Sequence, residues 1–136
     1  MKLSYVILMA AFLVAPSLSS AEELWLGGRS YHFKRTGSGC TNESHHLYAY
    51  RKGDYHIGTY VNSQCNRSYL VGRSYDWKYG FGLDISAVTG YPESMHIVGN
   101  FIFIPQLTYL AFYKRVGVRL IYVPFTLVGA GLAVRL

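Results

Sequence analysis

A two-residue alternation of side-chain character dominates the stretch from Lys78 to Leu136. Its odd positions up to residue 89 are Tyr79, Phe81, Leu83, Ile85, Ala87 and Thr89. Its even positions up to residue 90 are Lys78, Gly80, Gly82, Asp84, Ser86, Val88 and Gly90. Because successive side chains of a strand point to opposite faces, this pattern indicates a strand with apolar side chains on one face and small or polar side chains on the other. Its length is typical of the roughly 9–11 residues with which a strand crosses a bilayer.

The alternation predicts eight strands. They cover residues 24–34, 46–52, 55–62, 68–77, 79–89, 100–113, 117–123 and 126–136. Lys52-Gly53-Asp54 predicts a tight turn between the second and third strands, because Gly beside Asp favours short connections. We therefore predict an all-β fold, an eight-stranded antiparallel up-and-down transmembrane β-barrel formed by residues 22–136.

The direction of the two faces separates a membrane barrel from a soluble one. In the last strand Val128, Ala130, Leu132, Val134 and Leu136 share one face. Leu127, Gly129, Gly131, Ala133 and Arg135 share the other. Large aliphatic residues on the outside, small ones inside and rings of Tyr and Trp near both ends are expected in a lipid-embedded barrel. Asp84 is expected to pair with Arg119 or Arg135 inside, and the inward glycines are expected to leave room for an acyl chain. A soluble, lipocalin-like barrel is the alternative and would place its apolar face inside.

Residues 1–21 have the pattern of a secretory signal peptide. Lys2 precedes an apolar stretch at residues 6–15, and Ser19 and Ala21 suit cleavage after Ala21. An uncleaved anchor is the alternative, although the apolar stretch is short for a spanning helix. The expected destination is the outer membrane of a Gram-negative bacterium.

The charge balance favours lipid partners. The mature chain would keep twelve Lys and Arg against seven acids, a net charge of about +5. Such a surface suits anionic lipid headgroups, and no nucleic-acid-binding motif accompanies it. We expect membrane lipids as partners, no nucleic acid and a monomeric barrel. Cys40 and Cys65 form a possible disulfide; no metal-ligand spacing or cofactor motif is present.

Polar residues that could perform chemistry are expected at one rim. If the N-terminus is periplasmic, the loops after the first, third, fifth and seventh strands lie at the cell surface. These loops and strand ends hold His32, Asn42, Glu43, Asn62 and Ser63. A His near a Ser hydroxyl is the minimum for acyl transfer. Ordinary rim residues that only bond the loops are the alternative.

The chain resembles the outer-membrane lipid A palmitoyltransferase family, whose members are eight-stranded barrels that move an acyl chain from a phospholipid to lipid A. The likeness lies in Ser30-Tyr31-His32, Asn42-Glu43, Asn62-Ser63, Ile104-Pro105 and the run from Gly117 to Pro124. It implies phospholipid and lipopolysaccharide as partners. It also implies a catalytic set of His32 as general base, Ser63 as the second catalytic residue and Asn62, with Asn42 and Glu43 as supporting residues.

Two prolines and one substitution bear on this resemblance. Pro cannot donate a ladder hydrogen bond, so Pro105 and Pro124 in adjacent strands could weaken the pairing between the predicted sixth and seventh strands. In the family such prolines imply lateral lipid access, whereas Pro124 could equally just begin a turn. Asn62 stands where the family has Asp, so it cannot stabilise an imidazolium by charge. A non-catalytic barrel that binds lipid or a partner through its loops is therefore the alternative function.

Overall fold

The computed structural model describes residues 4, 7, 11, 19–33 and 40–136. Within those ranges the chain forms eight strands. They are β1 (Glu22–His32), β2 (Ser44–Lys52), β3 (Tyr55–Val61), β4 (Arg67–Asp76), β5 (Phe81–Val88), β6 (Ile102–Tyr113), β7 (Val116–Val123) and β8 (Leu127–Arg135). Two short 3-10 turns, Lys78–Gly80 and Glu93–Met95, lie between strands. In the described part of the chain, no helix is long and apolar enough to cross a membrane.

Every strand pairs antiparallel with its sequence neighbour, and β1 also pairs with β8, so the sheet closes into a barrel. We call the end where β1, β3, β5 and β7 finish the upper end, and the opposite end the lower end. The predicted closed eight-stranded barrel is confirmed, and so is the tight turn, with Lys52 opposite Tyr55. Most of the predicted signal peptide, residues 1–21, and Lys34 lie outside the described residues.

The predicted fifth strand began too early. Tyr79 and Gly80 lie in the turn Lys78–Gly80 and adopt positive φ angles of 64° and 85°. Alternation alone could not locate this turn, because Tyr79 continues the apolar face in the sequence. The left-handed backbone at Gly80 is easily adopted by glycine and ends the alternation.

The barrel is apolar outside and polar inside. Ile57 and Tyr69 point outward and are 62% and 63% exposed, whereas Arg51 and Asp84 point inward and are 2% exposed. In β7 and β8 the outward residues include Val118, Leu120, Val128 and Leu132, all exposed. This is the predicted direction of the two faces, and it contradicts the lipocalin-like alternative, in which apolar side chains fill the interior.

A bulge in β1 reverses which positions face inward. Gly27 and Gly28 have φ angles of 74° and 112°, and the register with both neighbouring strands shifts there. Before the bulge Trp25 is buried inside the barrel, and after it Ser30 is buried instead. A bulge adds one residue to one strand of a pair, so odd positions face inward before it and even positions after it.

Side chains from opposite walls meet inside the barrel. Trp25 lies 5.0 Å from the ring of His56, and the guanidinium of Arg119 sits 4.1 Å over its face. Arg119 in turn pairs with Asp84, one of the two pairings predicted from sequence. Ala133 packs on Trp25 with no exposed surface. The expected room for an acyl chain is therefore largely occupied near these residues, because the small side chain of Ala133 makes room for its large cross-strand neighbour Trp25.

The buried pair supplies a stability prediction. Replacing Arg119 by Met should lower the free energy of unfolding by about 3–5 kcal/mol, because Asp84 would remain buried without its counter-charge. Urea unfolding of the refolded barrel, followed by tryptophan fluorescence, measures this. The neighbouring outward substitution Leu120→Met should change it by less than about 1.5 kcal/mol. Adding Asp84→Leu to Arg119→Met should restore much of the loss. Equal stability of the Arg119 and Leu120 variants would show that Asp84 does not depend on Arg119 for its charge balance.

Candidate active site at the upper end

A serine and a histidine form a close pair inside the upper end. The Oγ atom of Ser30 on β1 lies 2.5 Å from Nε2 of His45 on β2. The other ring nitrogen of His45, Nδ1, lies 2.8 Å from the backbone oxygen of Val61. Because a carbonyl oxygen can only accept, Nδ1 carries the hydrogen, and Nε2 of the neutral ring is left to accept from the Ser30 hydroxyl. This is the geometry of a nucleophile beside an oriented base.

Backbone irregularity on two strands creates the pair. The β1–β2 register passes from Gly27 opposite Leu47 to Arg29 opposite Ser44, so two residues of β2, His45 and His46, face the single residue Gly28. His46 takes a φ of 43° and is exposed. The bulge thereby brings both Ser30 and His45 to the inner face. Without it, the two side chains could not meet.

Two polar groups beside the pair have no partner. Both ring nitrogens of His32 are buried and lack a hydrogen bond among the described residues, and so does Oε1 of Glu43. The His32 ring lies 6.5 Å from that of His45, and Glu43 is near enough to interact electrostatically with His45. Buried polar groups without partners are costly, and they concentrate where a ligand or a reaction requires them.

Asn62 and Asn42 hold the rim together. Asn62 has no exposed surface; its side-chain nitrogen donates to Ser68 Oγ at 3.1 Å and to the Gly90 oxygen at 2.8 Å. Its side-chain oxygen accepts from the backbone amides of Gln64 and Asn66. Asn42 donates to the oxygens of Ser44 and Val61 and so ties the first upper loop to the end of β3. The bonds of both residues shape the backbone around the site.

Ser63 lies at the same rim but faces another partner. It lies close enough to Tyr91 to interact with its phenol, and the Tyr91 hydroxyl lies 2.9 Å from that of Tyr60. Burial raises the pKa of Tyr91 above its ordinary value, so its phenol stays protonated. Among the residues that the structure describes, no hydrogen bond joins Ser63 to His32. The predicted residues therefore share one end of the barrel, while the close serine–histidine contact is made by Ser30 and His45.

A disulfide joins the two loops next to the site. Cys40 and Cys65 are bonded, with their Cα atoms 6.2 Å apart. It links the loop before β2 to the loop after β3, which contain Asn42 and Ser63 respectively. In the described ranges, no group of three or more His, Cys, Asp or Glu is arranged to hold a metal ion.

The hydrogen-bonded ladder between β6 and β7, which we call the β6–β7 seam, stops before it reaches the upper end of β6. The β5–β6 ladder continues up to Val88 opposite Ile102, whereas the β6–β7 ladder ends at Leu107 opposite Tyr122. Continuing that register by two residues would set Pro105 opposite Pro124. Neither proline has an amide hydrogen, so the ladder cannot be extended through this pair. Pro124 also begins the turn at residues 124–126 that leads into β8.

Sequence reasoning missed His45 because of the bulge. Counting alternate residues in an unbroken strand gives no reason for Ser30 and His45 to meet, and the second predicted strand, residues 46–52, begins after His45. The available signal was Gly27-Gly28, since paired glycines inside a strand pattern indicate a bulge.

No protein-family model, curated protein or solved structure matches this chain. Its relation to the palmitoyltransferase family therefore stays a prediction from the sequence.

The contacts of Asn62 predict why an amide occupies that position. Asn62→Asp should destabilise the barrel by about 2–3 kcal/mol, because a buried carboxylate would face the Gly90 oxygen and lose both donated bonds. Urea unfolding at neutral pH measures the loss. Asn66→Asp is the matched control, since the Asn66 side chain makes only a 3.5 Å contact with the same oxygen. An Asn62→Asp barrel as stable as the control would show that Asn62 is not a structural residue.

Proposed function

We propose that this chain spans an outer membrane and transfers an acyl chain from a phospholipid to lipid A or a related lipid. The membrane part is supported by the distribution of side chains. Exposed aliphatic residues such as Ile57, Leu107 and Leu132 cover the outside. In water such a surface would favour association, whereas hydrocarbon solvates it. Exposed aromatic residues such as Tyr31 and Tyr113 lie near the strand ends, as at a membrane interface.

The contact between Ser30 Oγ and His45 Nε2 carries the catalytic part of the proposal. In the first half-reaction, Ser30 Oγ attacks the ester carbonyl of the donor lipid while its proton passes to His45 Nε2. The ester bond breaks, and the leaving alkoxide takes the proton from His45. The products are a lysophospholipid and an acyl group bound to Ser30.

In the second half-reaction, a hydroxyl of the acceptor lipid attacks the acyl-Ser30 carbonyl and gives its proton to His45. The acyl–Oγ bond breaks, and His45 returns the proton to Ser30. Throughout, the Val61 oxygen holds the ring through Nδ1, and the carboxylate of Glu43 favours the transient imidazolium. His32, whose ring nitrogens have no hydrogen-bond partner in the part of the chain that the structure describes, is available to bond a substrate oxygen.

The seam above Leu107 and Tyr122 offers an entrance for the acyl chain. Residues 102–106 of β6 pair with β5 and have no β7 partner among the described residues. Separation there breaks no ladder bond through Pro105 or Pro124. The side chains that meet around Trp25 leave a packed interior rather than an open pore, which favours a lipid-handling function over a channel.

Two matched pairs of variants test the assignment. In a Gram-negative strain lacking its own palmitoyltransferase, Ser30→Ala and His45→Ala should each reduce the added acyl chain by about a hundredfold or more. Mass spectrometry of lipid A and of lysophospholipid provides the measurement. Ser63→Ala and His46→Ala are the matched controls and should retain activity. A gel shift between unheated and heated samples verifies that each barrel is folded.

The possible outcomes separate the hypotheses. Activity lost in Ser63→Ala and His32→Ala but kept in Ser30→Ala would replace this pair with the residues implied by the family resemblance. A folded, inserted wild-type barrel that adds no acyl chain would favour the non-catalytic barrel that binds lipid. Asn62 favours this second function, because its side-chain amide is held by hydrogen bonds at the rim and cannot carry a charge.

A further inference from the structure

A furrow of about 650 Å³ crosses the outer face of five neighbouring strands, from β5 through β6, β7 and β8 to β1. One wall is a row of cross-strand partners: Phe81, Tyr109, Leu120, Ala130 and Arg29. The other wall is the next outward row: Leu107, Tyr122, Val128 and Tyr31. Its floor is the row between them, whose side chains point inward: Gly82, Thr108, Ile121, Gly129 and Ser30.

The furrow has the shape of an extended hydrocarbon chain. Four strand spacings of about 4.8 Å give it a length of about 19 Å. Its walls are aliphatic and aromatic except at one end, where Arg29 lies. The small side chain of Ala130, beside Arg29 in the same row, keeps that end shallow-walled and open. A volume of this size is within the range of ligand sites.

Arg29 gives the furrow a charged end. Its side chain is exposed, and no carboxylate of the described residues lies within salt-bridge distance of it. A long arginine side chain on a lipid-facing wall extends toward the headgroup region, where its guanidinium can bond a phosphate through two N–H groups. The combination of one cation and an apolar furrow is complementary to an anionic lipid with an extended acyl chain.

We propose that this furrow binds an anionic glycerophospholipid, with its phosphate at Arg29 and one acyl chain along the furrow. The proposal rests on the membrane location and donor lipid proposed above. It adds the class of donor and its position. The floor of the furrow ends at Ser30, so a lipid held at Arg29 has its ester group next to the part of the wall whose inner side contains the Ser30–His45 pair.

The two tryptophans of the chain make this binding measurable. Trp77 lines the furrow and is 55% exposed, whereas Trp25 is inside the barrel and 3% exposed. The mature barrel is inserted into phosphatidylcholine vesicles containing a small fraction of lipid brominated on its acyl chains. Brominated phosphatidylglycerol should quench Trp77 at about a fivefold lower mole fraction than brominated phosphatidylcholine, as expected for one cationic side chain near the surface. The variant Trp77→Phe supplies the Trp25 signal for subtraction.

Variants locate the effect. Arg29→Gln should abolish the preference for phosphatidylglycerol, and Arg67→Gln, an exposed arginine at the upper end of β4, should keep it. Ala130→Phe should weaken quenching by both lipids by obstructing the furrow, and Val71→Phe, on the outer face of β4, should not. Equal quenching by both lipids in the wild type, or the same loss in Arg67→Gln, would overturn the proposal.

His45→Ala separates this inference from the catalytic proposal. Its quenching should match that of the wild type, because His45 lies on the inner side of the wall and does not line the furrow. Preserved quenching together with absent acyl transfer in the wild type would support the furrow and contradict the enzyme. A barrel that does not insert into the vesicles would contradict the membrane location, and the furrow proposal with it.

Discussion

Closure of the sheet by the pairing of β1 with β8 is the constraint on which the rest of the structure depends. Once the sheet is closed, each strand has one face inside a narrow barrel and one outside, and each pairs with a neighbour on both sides. The interior then has room for a large side chain only where its cross-strand neighbours are small. Trp25 therefore lies between Ala49 and Ala133, and His56 lies opposite Gly72, where an added Cβ atom would clash with its ring nitrogen. The charged residues that share this space are satisfied in pairs, as Arg119 is by Asp84.

The bulge at Gly27 and Gly28 creates the candidate site, because it decides which side chains of β1 face into the barrel. In an unbroken β1 with Trp25 inside, Arg29 would also point inward and Ser30 outward. The extra residue exchanges them, so that Ser30 meets His45 inside and Arg29 reaches the outer face. One backbone irregularity thus places a candidate nucleophile and a candidate lipid-binding cation on opposite sides of the same stretch of wall. The positive φ angles of both residues explain why glycine is suited to these two positions.

The sequence predicts the fold well because side-chain character alternates with a period of two residues in most strands. The ends of β3, β4 and β7 are within one residue of expectation, and the inward Arg119 and Asp84 follow from counting alternate positions. The site is less predictable, because it depends on places where counting fails. Tyr79 preserves the alternation while leaving the strand, and Gly27-Gly28 shifts it by one. The role of Asn62 is also invisible in sequence, since its partners Ser68 and Gly90 are brought close by the pairing of β3 with β4 and of β4 with β5.

A serine–histidine pair without a carboxylate in hydrogen-bond contact needs another means of orienting the ring and supporting its charge. The Val61 oxygen supplies the orientation, and Asn42 donates to the same oxygen at 3.2 Å, which fixes it further. Charge is the harder requirement, because a neutral carbonyl stabilises an imidazolium less than a carboxylate does. Glu43 meets it from a distance. Its Oε1 atom is buried and has no hydrogen-bond partner among the described residues, and its charge favours a proton on His45, while the neighbouring His32 opposes one. The proposed acyl transfer therefore depends on a substrate that binds close to His32 and Glu43 and changes this balance in favour of the imidazolium.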